Sequence, residues 1–276
     1  MSVLKLNKRN GAKKPLTKSR PTILSRHPSH DVLRGVLNLV PFRALIRFGS
    51  TTTKQQAYRN NKTITPFQLE NVVEINTVQA IKNSASKLLM KDCFTRAGVK
   101  TADWYTINPL GGGYVIRVEK NISLNISLAE LPYPIISKSL HGSRGEGNAK
   151  HDNQQQLEAW MRGKDLSNYI FEKFYTYSKE YRIHVTNDGC FYTCRKLLKN
   201  TAPEGTWQRH DDGNVAWILE TNPAFKKPTT WNLIVEDCIR AKNALGLDIC
   251  SFDVMTQGSS KERPEWIIVE SQSAPS

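Results

Sequence analysis

Three oxygen-bearing side chains, Asp253, Glu270 and Gln272, form a hard ligand set near the C-terminal end of the sequence. Asp253 sits in one apolar, β-branched run (249–255), and Glu270 follows a second (266–269). Runs of this length and composition predict strands. The Gly-, Ser- and Pro-containing break at 256–264 predicts a hairpin between them. An antiparallel pair would hold the two acids side by side. Burying a carboxylate is costly unless it is paired or metal-bound. Two carboxylates and an amide suit Mg²⁺, which binds through one or two carboxylates plus substrate phosphates. Taken singly, either acid reads equally as a strand-edge or solvated group.

Such a set needs a phosphate-binding element. Residues 134–147, Pro-Ile-Ile-Ser-Lys-Ser-Leu-His-Gly-Ser-Arg-Gly-Glu-Gly, predict a strand ending in Lys138 and then a loop with Gly142, Gly145 and Gly147. Glycines let backbone N–H groups turn toward an anion, and a lysine supplies a point charge. The spacing is neither a Walker A loop nor Gly-x-Gly-x-x-Gly, and a hairpin tip is the plain alternative. Lys87, on the polar side of a helix, reads by itself as solvated.

Further charges interrupt apolar strands. Glu172 lies in the aromatic run 169–175, Glu180 and Arg182 share a face by period two, and Arg195 ends the strand returning from the Asp188-Gly189 turn. Three antiparallel strands are expected to present Glu172, Glu180, Arg182 and Arg195 together, with surface ion pairs as the alternative account. No general base stands out. His184 and His210 are candidates, although a lone histidine is more often structural or solvated.

The elements that must position these residues follow from periodicity. Residues 36–40 and 43–47 predict short apolar elements, 51–63 a polar loop, and 71–76 a strand. A single helix follows, capped by Asn76 or Thr77, with Ile81, Ala85, Leu88, Leu89 and Cys93 as its stripe and Gly98 as its stop. Strands are expected at 99–107, 114–118 and 215–219, and helices at 153–162 and from Thr229 or Thr230 to Gly246. The first strand–helix–strand stretch implies a small α/β domain.

Composition narrows the class. The 276 residues are 39% hydrophobic, ample for a core, and no 18-residue apolar run is present to span a membrane. The basic N-terminus lacks the apolar segment of a secretory signal. Five cysteines (93, 190, 194, 238, 250), odd in number and without zinc spacing, fit free thiols in a reducing cytoplasm. The net charge is +14, and residues 1–30 hold eight Lys/Arg and no acid. That segment is expected to be a disordered basic tail, able to hold nucleic acid or an acidic partner, or to serve as a solvated leader.

The order of these pieces resembles the ATP-grasp superfamily of carboxylate–amine ligases, most closely its peptide- or glutamate-ligating branch. The pieces are a small α/β domain, Pro-x-x-x-Lys with a Gly-rich loop, Glu-Lys-Phe-Tyr, Glu-x-Arg, a strand ending in Arg, Asp-Val and Glu-x-Gln-x-x-Pro. The resemblance covers about residues 43–275. It implies an α+β fold in which two subdomains with antiparallel sheets clasp ATP after a small N-terminal α/β domain. The divisions are 1–30, 31–108, 109–175 and 176–276.

It further implies that Lys87 and Lys138 contact ATP phosphates under a loop of Ser143, Gly145 and Gly147. Glu172, Lys173, Phe174 and Tyr175 would hold adenine, and Glu180 the ribose. Arg182 and Arg195, with Lys138, would serve the reacting phosphate and substrate. Asp253, Glu270 and Gln272 would hold Mg²⁺. The family has Asn where Gln272 stands, and its other Asn matches either Asn222 or Asn232. The implied reaction joins a small-molecule or peptide carboxylate to an amine through an acyl phosphate. Two alternatives are a degenerate ATP-binding relative with a regulatory or assembly role, and a nucleic-acid binder using the tail with Phe171, Phe174, Tyr175, Tyr177, Phe191 and Tyr192. The acid, the amine and the oligomeric state are not specified by the sequence.

Overall fold

The structure, a computed structural model, describes residues 22–25, 44–59, 69–110, 113–118, 126–140, 145, 147–202, 214–257 and 264–275. Residues 36–40, Ser143 and His210 lie outside the described residues.

A parallel three-stranded sheet begins the fold: β1 (Thr22–Ser25), β2 (Ala44–Phe48) and β3 (Val73–Ile75), in that order. Four residues of the expected tail are therefore a strand, with Ile23 opposite Ile46. Helix α1 (Lys54–Tyr58) occupies the expected polar loop. Its start is a capping box: Thr53 accepts from the Gln56 N–H, and Gln56 accepts from the Thr53 N–H.

The expected single helix is two, α2 (Val78–Ala85) and α3 (Lys87–Arg96). Ser86 leaves the helical region, ends α2 and caps α3 by accepting from the Leu89 N–H. The interruption resets the phase. Ala80, Ile81 and Ser84 are buried on α2, whereas Met90, Lys91, Cys93 and Phe94 are buried on α3, and Leu89 is exposed.

The second sheet has the order β5-β4-β8-β6-β7 and is antiparallel throughout. Its strands are β4 (Trp104–Leu110), β5 (Gly113–Val118), β6 (Ile135–Ser139), β7 (Ala149–His151) and β8 (Tyr169–Lys173). Strand β4 straddles residue 108. Helix α4 (Gln154–Met161), capped by Asn153, buries Leu157 and Met161 against this sheet with Tyr105, Ile107, Ile135 and Phe171.

The third sheet runs β11-β10-β9-β12-β13. Its strands are β9 (Lys179–Thr186), β10 (Gly189–Leu198), β11 (Val215–Leu219), β12 (Cys250–Thr256) and β13 (Trp266–Gln272). Glu172 thus belongs to a different sheet from Glu180, Arg182 and Arg195. Helix α5 (Trp231–Leu245) lays Ile234, Cys238, Ala241 and Leu245 on one face of this sheet, and Gly246 (φ 75°) ends it. Residues of α2 and α3 complete the same core, against Tyr181, Ile183, Phe252 and Val254. The odd residues of β9 and the even residues of β12 face this core, so Glu180, Arg182, His184, Ser251 and Asp253 share the opposite face.

Candidate active site

Asp253 of β12 lies directly opposite Glu270 of β13 on one side and Arg182 of β9 on the other. Arg182 grips Asp253 with two parallel bonds, Nε to Oδ1 at 2.8 Å and Nη2 to Oδ2 at 3.1 Å. This fork geometry is the strong form of the contact. Lys196 of β10 lies 3.6 Å from Asp253 Oδ2 and is bonded to Glu180. The Gln272 side-chain nitrogen donates to Asp253 Oδ2 at 3.4 Å. Trp217 covers the group, 4.7 Å from the Arg182 guanidinium and 5.1 Å from the Lys196 ammonium.

Arg195 is not brought to this group. In register with Tyr181 it faces the other way and donates to the Ala224 and Phe225 carbonyls. A β-bulge at Cys190–Tyr192 shifts the β9–β10 pairing by one residue, so Lys196 stands opposite Glu180 where an unbulged hairpin would have placed Arg195. Lys196 was not among the sequence candidates, because nothing in its neighbours marks the bulge.

Glu172 is the hub of the second sheet. Its Oε2 accepts from Lys138 at 2.8 Å and from Lys91 at 3.1 Å, and all three are largely or wholly buried. Burial works against its charge, but the two ammonium groups outweigh burial and hold its pKa below the ordinary value. Lys91, another residue the sequence did not single out, carries the tie from α3 to β8. The backbone N–H groups expected to meet adenine are engaged: Lys173 donates to the Asp103 carbonyl at 2.9 Å and Phe174 to the Pro134 carbonyl at 2.8 Å. The Tyr175 hydroxyl donates to Asp103 at 3.1 Å.

Lys87 donates to the Ser139 carbonyl at 2.9 Å, which puts both candidate phosphate lysines at the end of β6. Burial lowers the Lys87 pKa, with Glu270 opposing and Lys138 assisting. Gly145 and Gly147, in the β6–β7 connection, both have φ 75°. A Cβ on Gly147 would also stand 3.2 Å from the Ser139 Cβ. Gly147→Ala is therefore expected to destabilise the chain by about 1–2 kcal/mol through backbone strain, read as a lower urea midpoint.

Asp253 and Glu270 shift in opposite directions. Burial opposes ionisation of Asp253, but Arg182 and Lys196 prevail and lower its pKa. Burial and then the Asp253 charge raise the pKa of Glu270, against the pull of Lys138, Lys87 and Lys196. Among the described residues no hydrogen bond or ion pair reaches the Glu270 carboxylate. An open acid with a like charge beside it and lysines opposite fits a divalent cation bound together with phosphates. Gln272 fits less well as a ligand, since its nitrogen faces Asp253. Among the described residues there is no cluster of three or more His, Cys, Asp or Glu side chains suited to a metal.

The depressed acids set an acid limit on stability. Glu172 and Asp253 have folded pKa values below their ordinary 4.5 and 3.8. Each contributes stability above that range and loses it as pH falls through the lower folded value. The urea midpoint should thus drop steeply below about pH 4, and Glu172→Gln should flatten part of that drop.

No family model and no curated protein matches this sequence. Solved structures do match in shape. D-alanine–D-alanine ligase from Bacillus anthracis aligns with a TM-score of 0.56 at 12% identity, covering 89% of this chain and 74% of that one. The ATP-grasp ligase PsnB, complexed with a minimal precursor, gives 0.51 at 13% identity, covering 84% and 72%. N5-carboxyaminoimidazole synthase from Aspergillus clavatus, complexed with ADP and 5-aminoimidazole ribonucleotide, gives 0.53 at 16% identity, covering 93% and 70%. The chain has the ATP-grasp fold. In this ATP-grasp fold the second and third sheets carry the two groups of charges just described, Lys87 lying on the helix that precedes them. Among the described residues no helix is long and apolar enough to cross a membrane.

Proposed function

We propose that the chain is an ATP-dependent ligase that joins a carboxylate to an amine through an acyl phosphate. One observation carries this reading: the open acid Glu270 feels Lys87 and Lys138, charges that lie outside its own sheet. An acid awaiting a cation beside two lysines awaiting phosphates is the arrangement a magnesium nucleotide needs. Neighbours of the same fold whose structures hold ADP or a minimal precursor support it.

On this reading the second and third sheets clasp the nucleotide, and the parallel sheet is the preceding small domain. Lys87 and Lys138 hold phosphate oxygens, with Gly145 and Gly147 in the loop that follows Lys138. Glu172 fixes Lys138 in place, while Lys173, Phe174 and Tyr175 line the adenine end and Glu180 the ribose. Asp253, Glu270 and, with a rotated amide, Gln272 would hold Mg²⁺, which when bound neutralises phosphate charge. Arg182 orients Asp253 and adds positive charge near the reacting phosphate, as does Lys196 in the place expected for Arg195. A substrate carboxylate oxygen attacks the γ-phosphorus and ADP departs. The amine nitrogen then attacks the acyl carbon, the C–O bond to phosphate breaks, and the amine's N–H proton leaves with the phosphate. Positioning and charge neutralisation suffice for both steps.

The orientation of Gln272 favours one other reading, a nucleotide-binding protein without turnover. ADP release from Mg-ATP, measured against pooled amino acids and acidic peptides, separates the two. The ligase reading requires release that depends on added substrate. ATP binding without release, converted to release by Gln272→Asn, would establish the other. The nucleic-acid alternative has little support from its aromatics, because Phe171 and Tyr177 are buried.

A further inference from the structure

Beyond Asp253 and Glu270, the same face of the third sheet continues in a polar row of His184, Ser251 and Gln272, of which the proposed site uses only Gln272. His184 of β9 lies directly opposite Ser251 of β12, and Ser251 lies opposite Gln272 of β13. Ser251 stands two residues from Asp253, about 7 Å along the strand. His184 is 4% exposed and Ser251 is fully buried, yet His184 Nδ1 and Ser251 Oγ have no hydrogen-bond partner among the described residues. Buried polar atoms in a folded protein are rarely left so, and two side by side point to a missing occupant.

The chemistry of the row limits what that occupant is. In a neutral imidazole one ring nitrogen donates and the other accepts, so the tautomer with its proton on Nε2 presents Nδ1 as an acceptor. Burial, and then the Arg182 charge, push the His184 pKa down to about 4, with Asp253 opposing weakly. The ring is therefore neutral near pH 7, and the place disfavours a cation. A primary amine in its neutral form has two N–H donors and a free lone pair. One N–H meets Nδ1, the other meets Oγ, and the lone pair is left for attack. The surroundings are aromatic. The Tyr192 and Phe191 rings stand 4.9 Å and 5.9 Å from the imidazole, are 44% and 55% exposed, and lie on the part of β10 that β11 does not pair.

We propose that His184 Nδ1 and Ser251 Oγ are the acceptors of an amine subsite, which binds a neutral primary amine bearing an apolar or aromatic substituent. The proposal rests on the ligase reading for its place in the reaction, since the amine must lie beside the acid pair. It differs from that reading in what it asks of the molecule, namely amine binding, which needs no turnover.

The test is a titration of the full chain, with Mg²⁺ and ADP present, by L-phenylalaninamide. The His184 ring nitrogens are followed by NMR. N-acetyl-L-phenylalaninamide, which lacks the amine, is the control. The proposal expects a saturable shift of the Nδ1 resonance with the amine and none with the control. Ser251→Ala should weaken amine binding about tenfold, the equivalent of one hydrogen bond in a dry site. Its melting temperature should not fall, because Oγ makes no hydrogen bond to a described residue. His184→Phe should abolish the binding. Equal responses to both compounds, or no response, would overturn the proposal. So would a loss of stability in Ser251→Ala with amine binding unchanged, which would mark the two atoms as bridged by a structural water. ADP binding is read separately by thermal shift. Its absence would count against the ligase reading while the amine response is judged by itself.

Discussion

Glu270→Gln is expected to reduce ATP turnover by on the order of a hundred- to a thousandfold, while the fold becomes no less stable. The two halves of this result have one cause. Glu270 ionises against burial and against the neighbouring Asp253 charge, so its pKa is raised in the folded chain. An acid with a raised folded pKa costs stability once pH climbs above its unfolded value. Removing the charge at neutral pH relieves that cost, and no hydrogen bond or ion pair with a described residue is lost. A residue kept for structure would behave in the opposite way. ADP release and urea midpoints at pH 7 on the two chains read both halves. A lower midpoint with turnover intact would reject the role given to Glu270.

Glu172→Ala is expected to cost about 3–5 kcal/mol, because it leaves two buried ammonium groups without their carboxylate. Lys91 is fully buried, and besides Glu172 its ammonium donates to the Thr101 hydroxyl at 2.6 Å, a neutral group that leaves its charge uncompensated. For a chain of this size the loss corresponds to a fall in Tm on the order of 10 °C. Lys91→Met in the Glu172→Ala background should recover part of it, since one uncompensated charge is then gone. A double-mutant cycle on Glu172 and Lys91 measures the coupling. Strict additivity would contradict the shared hub. Nucleotide affinity should fall with Glu172→Ala as well, because Lys138 loses the group that holds it.

Much of this arrangement was legible in the sequence, for identifiable physical reasons. The opposition of residues 253 and 270 follows from two β-branched runs and one turn-rich break, and β12 and β13 pair in that register. The stripe of α5 follows from helical spacing closed by a glycine, and all four of its residues are buried. Local exceptions to periodicity were not legible. Ser86 reads as an ordinary polar position in one long helix, and only its departure from helical backbone angles turns the α3 stripe toward Lys91 and Phe94. The Thr53–Gln56 capping box was present in the sequence as Thr-x-x-Gln, but the polarity of the segment masked it.

The exchange of Arg195 for Lys196 has the same character. Regular alternation from the Asp188-Gly189 turn would set Arg195 opposite Glu180, and one bulged residue inverts every assignment beyond it. Glu172 shows a different limit. An acid in an apolar strand asks for a partner, but the sequence could not tell a protein ammonium from a ligand. The partners are Lys91 and Lys138, 81 and 34 residues away.

The central claim is that Lys87, Lys138 and the Asp253–Glu270 pair together form a magnesium–nucleotide site. Calorimetric titration of the chain with ATP, with and without Mg²⁺, tests it most directly. The account predicts saturable binding at a single site that requires Mg²⁺ and that Lys138→Ala weakens about tenfold or more. Absence of heat at saturating Mg-ATP, or binding indifferent to both Mg²⁺ and Lys138, would contradict it.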